Sequence, residues 1–407
     1  MKSSELYDIA TKYKTPSFVF DAEAVQTRVH EIKTIIGDDI NLCFSVKANP
    51  FFIPVLNDDL YHFEVCSPGE LVICEQDKIP GKKIIYSGVN KGEKDIREAM
   101  EYGVETFTAE SIRQVEMIHK EAERKNKTVP LLLRLNSGNQ FGMSEEDLLR
   151  TIENREQYKN VKIMGIHFFA GTQRRKLEEK KKELHNLVEL IIYIEKTYRY
   201  QIRNLQYGPG LPVPLFEGDD FSDTLKPLKE IVPFLKEGRE KVKVTIEMGR
   251  FIAAECGCYL TKVADQKVNQ GSNYCILDGG MNHVNYYGQI MGMKVPIIEN
   301  LSLKYREHRE KSEKSKTWCL CGSLCTSADI LVRQIELKDL NLGDIMAFYN
   351  IGAYSVTEGI YLFLSRTMPR VILREKEGKT KLLRDFFETS TINRQSEKET
   401  VKNGTND

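Results

Sequence analysis

No stretch of this chain approaches the roughly 18 consecutive apolar residues of a membrane helix, so no membrane span is expected. The opening MKSSELYDIATKYK lacks the apolar run of a secretory leader, which makes a cytoplasmic location the expectation. Net charge is missing too. Lys+Arg and Asp+Glu both number 59, leaving no global field to attract nucleic acid or an acidic membrane. The charge runs at 174–183 and 304–316 mix signs and read as solvated faces. Nine cysteines, odd in number and scattered, do not make a disulfide framework and read as thiols. Cys256 and Cys258, and then Cys319, Cys321 and Cys325, are closely spaced. Neither group has the second pair or the histidines of a zinc motif, so no metal is expected.

What is present is a 41% hydrophobic chain of 407 residues, enough for two cores, one of them a barrel of about 250 residues. Eight β-branched, apolar runs stand at 41–46, 60–66, 83–87, 104–108, 129–136, 161–168, 202–207 and 242–247. Segments of helical spacing separate them, such as EKDIREAMEYG and KKELHNLVELIIYIEKTY. This alternation predicts an α/β fold, a (β/α)8 barrel over 21–250, with an open doubly wound sheet as the competing arrangement. After Glu247 the runs become short, β-rich and turn-punctuated, predicting a mostly antiparallel β domain built from 251–388 and residues 1–20. SFVFD near the start reads as a strand that could join it. The polar tail, 389–407, is expected to be disordered.

In such a barrel the chemistry sits at the C-terminal ends of the strands. Strand one ends in Ser45-Val46-Lys47-Ala48-Asn49-Pro50. A lysine there either snorkels to the rim or serves as an amine that forms a Schiff base. Strands seven and eight end in Gly208-Pro209-Gly210 and Glu247-Met248-Gly249-Arg250, turns whose amides and arginine suit a phosphate. An amine and a phosphate grip together fit pyridoxal 5'-phosphate. Glu247 then suits the pyridine nitrogen, where a carboxylate keeps the ring protonated and electron-withdrawing. The bland alternative for Glu247 is a salt bridge to Arg250 or Arg134. In the second domain, Cys325 offers a proton-donating thiol and Tyr354 a hydroxyl for phosphate. Cys325 on its own also reads as a small buried hydrophobe.

In joint order these motifs resemble the pyridoxal-phosphate decarboxylases of the alanine-racemase-like barrel fold, which act on diaminopimelate, ornithine or arginine. The resemblance runs from about Thr15 to Arg384. It implies that Lys47 in SVKANP holds the cofactor and that Glu64 in FEVCSPGEL lies near it, with Ser67 and Glu70 beside it. It places Arg134 in LLLRLN on the floor of the site and Thr172 in HFFAGTQ near the cofactor. It assigns Gly208, Gly210, Gly249, Arg250 and Tyr354 to the phosphate and Glu247 to the ring. It also implies a homodimer in which Cys325 enters the partner's site.

Several positions depart from the family's pattern. Phe169 stands where a histidine usually stacks on the ring, with His167 one layer deeper on the same face. Pro209 removes a donor from the phosphate turn. Gln140 replaces a usual lysine, and Thr326 replaces the usual acid that reads a distal amine, with Asp329 nearby as a substitute. The arginine–tyrosine set expected after Asp278-Gly279-Gly280 is replaced by MNHVNYYGQIMGMKVP. These departures are similar to natural-product branches, such as the butirosin-pathway decarboxylase acting on a carrier-bound glutamyl group. The expected activity is therefore amino-acid decarboxylation, on a free or carrier-presented substrate. Diaminopimelate decarboxylation, racemisation and a non-catalytic regulatory role are the alternatives. Glu247 speaks against a racemase of this fold, which sets an arginine at that place, and the retained cofactor residues speak against a regulator.

Overall fold

The structure, a computed structural model, describes residues 1–305 and 315–395. It begins with a helix, Ser3–Tyr13, and the strand β1, Ser17–Asp21. Eight parallel strands then close on themselves: β2 (Asn41–Ser45), β3 (His62–Val65), β4 (Ile84–Tyr86), β5 (Thr106–Ala109), β6 (Val129–Arg134), β7 (Val161–Phe169), β8 (Asn204–Gly208) and β9 (Lys243–Met248). Each lies within a residue or two of an apolar run seen in the sequence. Closure through the β2–β9 pair, with Cys43 beside Glu247, rules out the open sheet.

Inward-facing residues of alternate barrel strands meet in layers. Cys43, Ile85 and Leu132, from β2, β4 and β6, form one small apolar cluster. Glu64, His167 and Glu247, from β3, β7 and β9, form a buried polar group, and this polar layer marks the site.

The second unit contains β10 (Gly257–Asn269), β11 (Ser272–Leu277), β12 (Ile298–Asn300), β13 (Ser315–Cys321), β14 (Ile330–Lys338), β15 (Ile345–Tyr349), β16 (Arg370–Arg374) and β17 (Thr380–Arg384). Among the described residues the sheet runs β14-β13-β11-β10-β1-β16-β17, with β15 paired to β10 and β12. It is mostly antiparallel; the β1–β16 and β11–β13 pairs are parallel. β1 joins this sheet, as SFVFD suggested. The first helix, which the sequence reading did not anticipate, buries Leu6, Ile9 and Ala10 against Val19, Leu260, Ala347 and Ile372. That face exists only once the sheet is assembled.

Residues 389–395, read as the start of a disordered tail, are placed instead. Thr389 is fully buried and donates to Arg366 O, and a helical turn spans Ser390–Asn393. The remainder of that tail and most of the charge run at 304–316 lie outside the described residues. No helix among the described residues is long and apolar enough to cross a membrane.

Candidate active site

The site assembles at the C-terminal mouth of the barrel. Lys47 occupies a 3-10 turn, Val46–Ala48, immediately after β2. Its Nζ lies 2.5 Å from Glu64 Oε2, 3.7 Å from Glu247 Oε1 and 3.5 Å from Cys66 Sγ. Its side chain stays 38% exposed, so the amine is reachable from the cleft. Desolvation by the barrel opposes its charge. The carboxylates of Glu64 and Glu247 outweigh that and hold the amine well above the usual lysine range.

Glu247 is held by more donors than Glu64. Its Oε1 accepts from Ser45 Oγ at 2.9 Å and its Oε2 from Gln206 Nε2 at 2.9 Å. His167 Nε2 is 3.0 Å from Oε2, and among the described residues neither ring nitrogen makes a hydrogen bond. Burial alone would raise the Glu247 carboxyl. Lys47 and His167 outweigh it and hold the group well below the usual carboxylate range. Among the described residues neither Arg250 nor Arg134 pairs with it. The donor atoms of Glu64, His167 and Glu247 lie within 4.8 Å of one another, a spacing that would also suit a metal ion. Lys47 already bridges the two carboxylates there.

A cleft opens over this cluster, walled by Lys47, Phe169, Thr172, Gly210, Glu247, Gly249, Arg250 and Tyr354 together with Ser45, Leu211, Met248 and Phe251. Arg250 is only 8% exposed, and burial lowers its pKa. It has no carboxylate within ion-pair distance among the described residues, and its Nε has no hydrogen-bond partner. The guanidinium lies against the rings of Tyr354 and Tyr287, 4.5 and 5.1 Å from their centroids. A buried, unpaired guanidinium is costly unless an anion arrives to pair with it. Gly249 leaves room for that anion: a Cβ there would come within 2.9 Å of Ala48 Cβ and 3.2 Å of Tyr354 Oη. Gly210 has a left-handed φ of 58°, and a Cβ on it would strike Gly171 O. Tyr354 itself carries φ 70°, a strained value for a tyrosine, held by its amide donating to Ala48 O at 2.6 Å. The waiting arginine, the open glycine cradle and the reachable amine fit a phosphorylated carbonyl cofactor.

Other sequence assignments fall elsewhere. Gly208 is not a wall of the cleft: a Cβ there would meet Phe169 Cδ2 at 2.5 Å, so this glycine seats the Phe169 ring. Arg134 is also not in the cleft. It is held 2.6 Å from Glu110 and lies over Phe141. Ser67 and Glu70 cap the helix Pro68–Gln76: Ser67 Oγ accepts from Glu70 N, and Glu70 accepts from Cys66 N. Cys325 and Thr326 are exposed and do not line the cleft of their own chain. Asp329 is turned away from the surface on its own chain. It is 3% exposed, and its two oxygens accept from Met281 N at 2.7 Å and Leu324 N at 2.8 Å, so it braces the Cys325 loop. Sequence reasoning missed Ser45, Gln206, Cys66 and Tyr287. Gln206 had a signal, lying two residues before Gly208 on β8, and Ser45 closes β2 just ahead of the Lys47 turn. Cys66 stands in a quoted motif but was not singled out, and Tyr287 lies in a loop with no periodicity to read.

A family model described as "Pyridoxal-dependent decarboxylase, pyridoxal binding domain" matches residues 22–254. The chain belongs to this family. The decarboxylase is 25% identical to the L-glutamyl-(BtrI acyl-carrier protein) decarboxylase of Niallia circulans, covering 94% of each chain. It is 24% identical to the diaminopimelate decarboxylase of Aquifex aeolicus, covering 93% of this chain and 91% of that one. Its fold matches the crystal structure of M. jannaschii diaminopimelate decarboxylase in complex with L-lysine, with a TM-score of 0.83 at 22% identity over 95% and 92% of the two chains. Its cofactor is pyridoxal phosphate.

Proposed function

We propose that this enzyme removes the α-carboxylate of an amino acid whose distal end is a neutral acyl or amide group, presented on a carrier protein. One observation carries the choice. The only acid in the loop 321–329, Asp329, is buried with both oxygens taken, and Thr326 offers a hydroxyl that already accepts from Ala328 N at 3.3 Å. A distal ammonium would find no exposed carboxylate on that loop, and an unpaired ammonium in a partly dry pocket is expensive. The likeness to a decarboxylase named for a carrier-bound glutamyl group supports the same reading.

When bound, the cofactor supplies an electron sink for the pair left at the α-carbon as carbon dioxide departs. Lys47 would hold it through its amine, and Arg250, Tyr354 and the Gly210 and Gly249 turns would hold its phosphate. Phe169 would cover the ring face, with Thr172 beside it. Glu247, kept ionised by Lys47 and His167, would hold a proton on the pyridine nitrogen. Cys325 would return a proton to the α-carbon. Because it is exposed and outside its own cleft, we assign it to the cleft of a second copy in a homodimer. We also take 21–250 as the cofactor-binding domain and 1–20 with 251–388 as the second domain.

Two results test this reading. Gly249→Ala should weaken cofactor binding by about tenfold or more, because its Cβ would crowd Ala48 and the Tyr354 hydroxyl. Titration of the apoenzyme by absorbance checks it, and unchanged affinity would remove the turn from the phosphate site. For substrate, the measurement is kcat/KM on free diaminopimelate, lysine, ornithine and a glutamyl-carrier thioester. The carrier substrate should win by about a hundredfold. If diaminopimelate wins by a similar factor, the enzyme belongs to lysine biosynthesis and Thr326 has been misread.

A further inference from the structure

Cys319-Leu320-Cys321 ends β13, and the chemistry above leaves both thiols unused. Residues two apart on a strand share a face, and these two Sγ atoms lie 3.6 Å apart. On an even strand their Cα atoms would stand about 6.6–6.8 Å apart, the far limit for a disulfide. β13 keeps an unbroken register with β11 through Cys319 and Cys321, and the shifts in its pairing with β14 come from extra residues on β14, so closing a bond between the two sulfurs has to move the end of β13. Trp318 and Leu320 are buried on the opposite face, while both cysteines are half-buried.

The strand end is coupled to the loop that follows. Gly322 is packed so closely that a Cβ on it would lie 2.3 Å from both Asp329 Oδ2 and Gly280 Cα. Asp329 holds Leu324 N on one side and Met281 N on the other. Cys325 sits between these two clamps, so a change of backbone at Cys321 has no slack in which to be absorbed before it reaches Cys325.

We propose that Cys319 and Cys321 are a modification site: they form a reversible intrastrand disulfide that repositions the Cys325 loop. The oxidant is a low-molecular-weight disulfide. Cys319 sulfur, as thiolate, attacks one sulfur of oxidised glutathione and expels one glutathione thiolate. Cys321 sulfur then attacks Cys319 sulfur and expels the second. Two protein thiols are oxidised, one disulfide is reduced to two thiols, and no proton is gained or lost overall. Burial, reinforced by Cys319, pushes the Cys321 thiol up to about 12, which casts Cys321 as the second attacker. The catalytic consequence rests on the role assigned to Cys325 above; bond formation does not.

The test uses the holoenzyme equilibrated with oxidised and reduced glutathione, alkylated and digested with trypsin. The peptide 317–333 contains Cys319, Cys321 and Cys325. It should lose the mass of two hydrogens, with fragments placing the bond between Cys319 and Cys321, in wild type and in Cys325→Ser but not in Cys319→Ser. In the oxidised protein, alkylation of Cys325 should change in rate by about threefold or more and return on reduction. A bond involving Cys325, persistent glutathione adducts without closure, or two thiols that stay alkylable would each overturn the site. A closed bond with an unchanged Cys325 rate would overturn the coupling. None of these readouts needs Cys325 to be catalytic, so failure of that assignment is seen separately.

Discussion

Lys47→Ala and Cys325→Ala are each expected to be nearly inactive, and mixing them is expected to restore about a quarter of wild-type activity. Among the described residues Lys47 is the only lysine walling the cleft, and no other residue there offers an amine to a carbonyl. Cys325 is exposed on its own chain and absent from that cleft. If two copies share their sites through a twofold axis, random exchange makes about half the dimers hybrid, each with one intact site and one doubly broken site, hence about a quarter of full activity. Steady-state turnover of mixtures after subunit exchange measures this. Borohydride reduction of wild type should fix the cofactor on the peptide carrying Lys47. A mixture that stays inactive despite proven exchange would refute the shared site, and a label on another lysine would refute the first assignment.

Glu247→Gln is expected to lower kcat by about a hundredfold or more while changing cofactor affinity little. That is the scale on which removing one preorganised electrostatic group acts on a transition state. The carboxylate lies well below its usual pKa, so it stays charged across the neutral range. The amide keeps the size and can still accept from Ser45, but it cannot hold a proton on a ring nitrogen. Turnover and a spectroscopic cofactor titration on the same preparation separate the two effects. A variant that keeps wild-type kcat would show that the charge of Glu247 does not set the reaction.

The barrel was legible because its signal is local. Eight apolar runs alternating with helical periods are set by short-range side-chain patterning, and the structure moves their ends by a residue or two. Lys47, Glu247, Gly249 and Arg250 were readable for a related reason: strand ends in a barrel point to one mouth, so their chain positions alone bring them together. The helix Ser3–Tyr13 was not legible because its apolar stripe is satisfied by β1, β10, β15, β16 and Leu301, which come together from distant parts of the chain.

The side chains whose direction depends on a partner were decided only in three dimensions. Arg134 stands at a barrel strand end like the site residues, yet Glu110, 24 positions earlier, draws it away. Asp329 follows Cys325 closely and read as a substrate contact. The amides of Met281 and Leu324 claim both of its oxygens, because a buried carboxylate takes whatever donors its surroundings supply. Gly208 looked like part of a phosphate turn and instead makes room for Phe169. By itself the sequence determined the architecture, the cofactor class and the residues that converge by strand order. The tertiary structure decided which polar groups remain free for chemistry, since that depends on contacts between residues far apart in the chain.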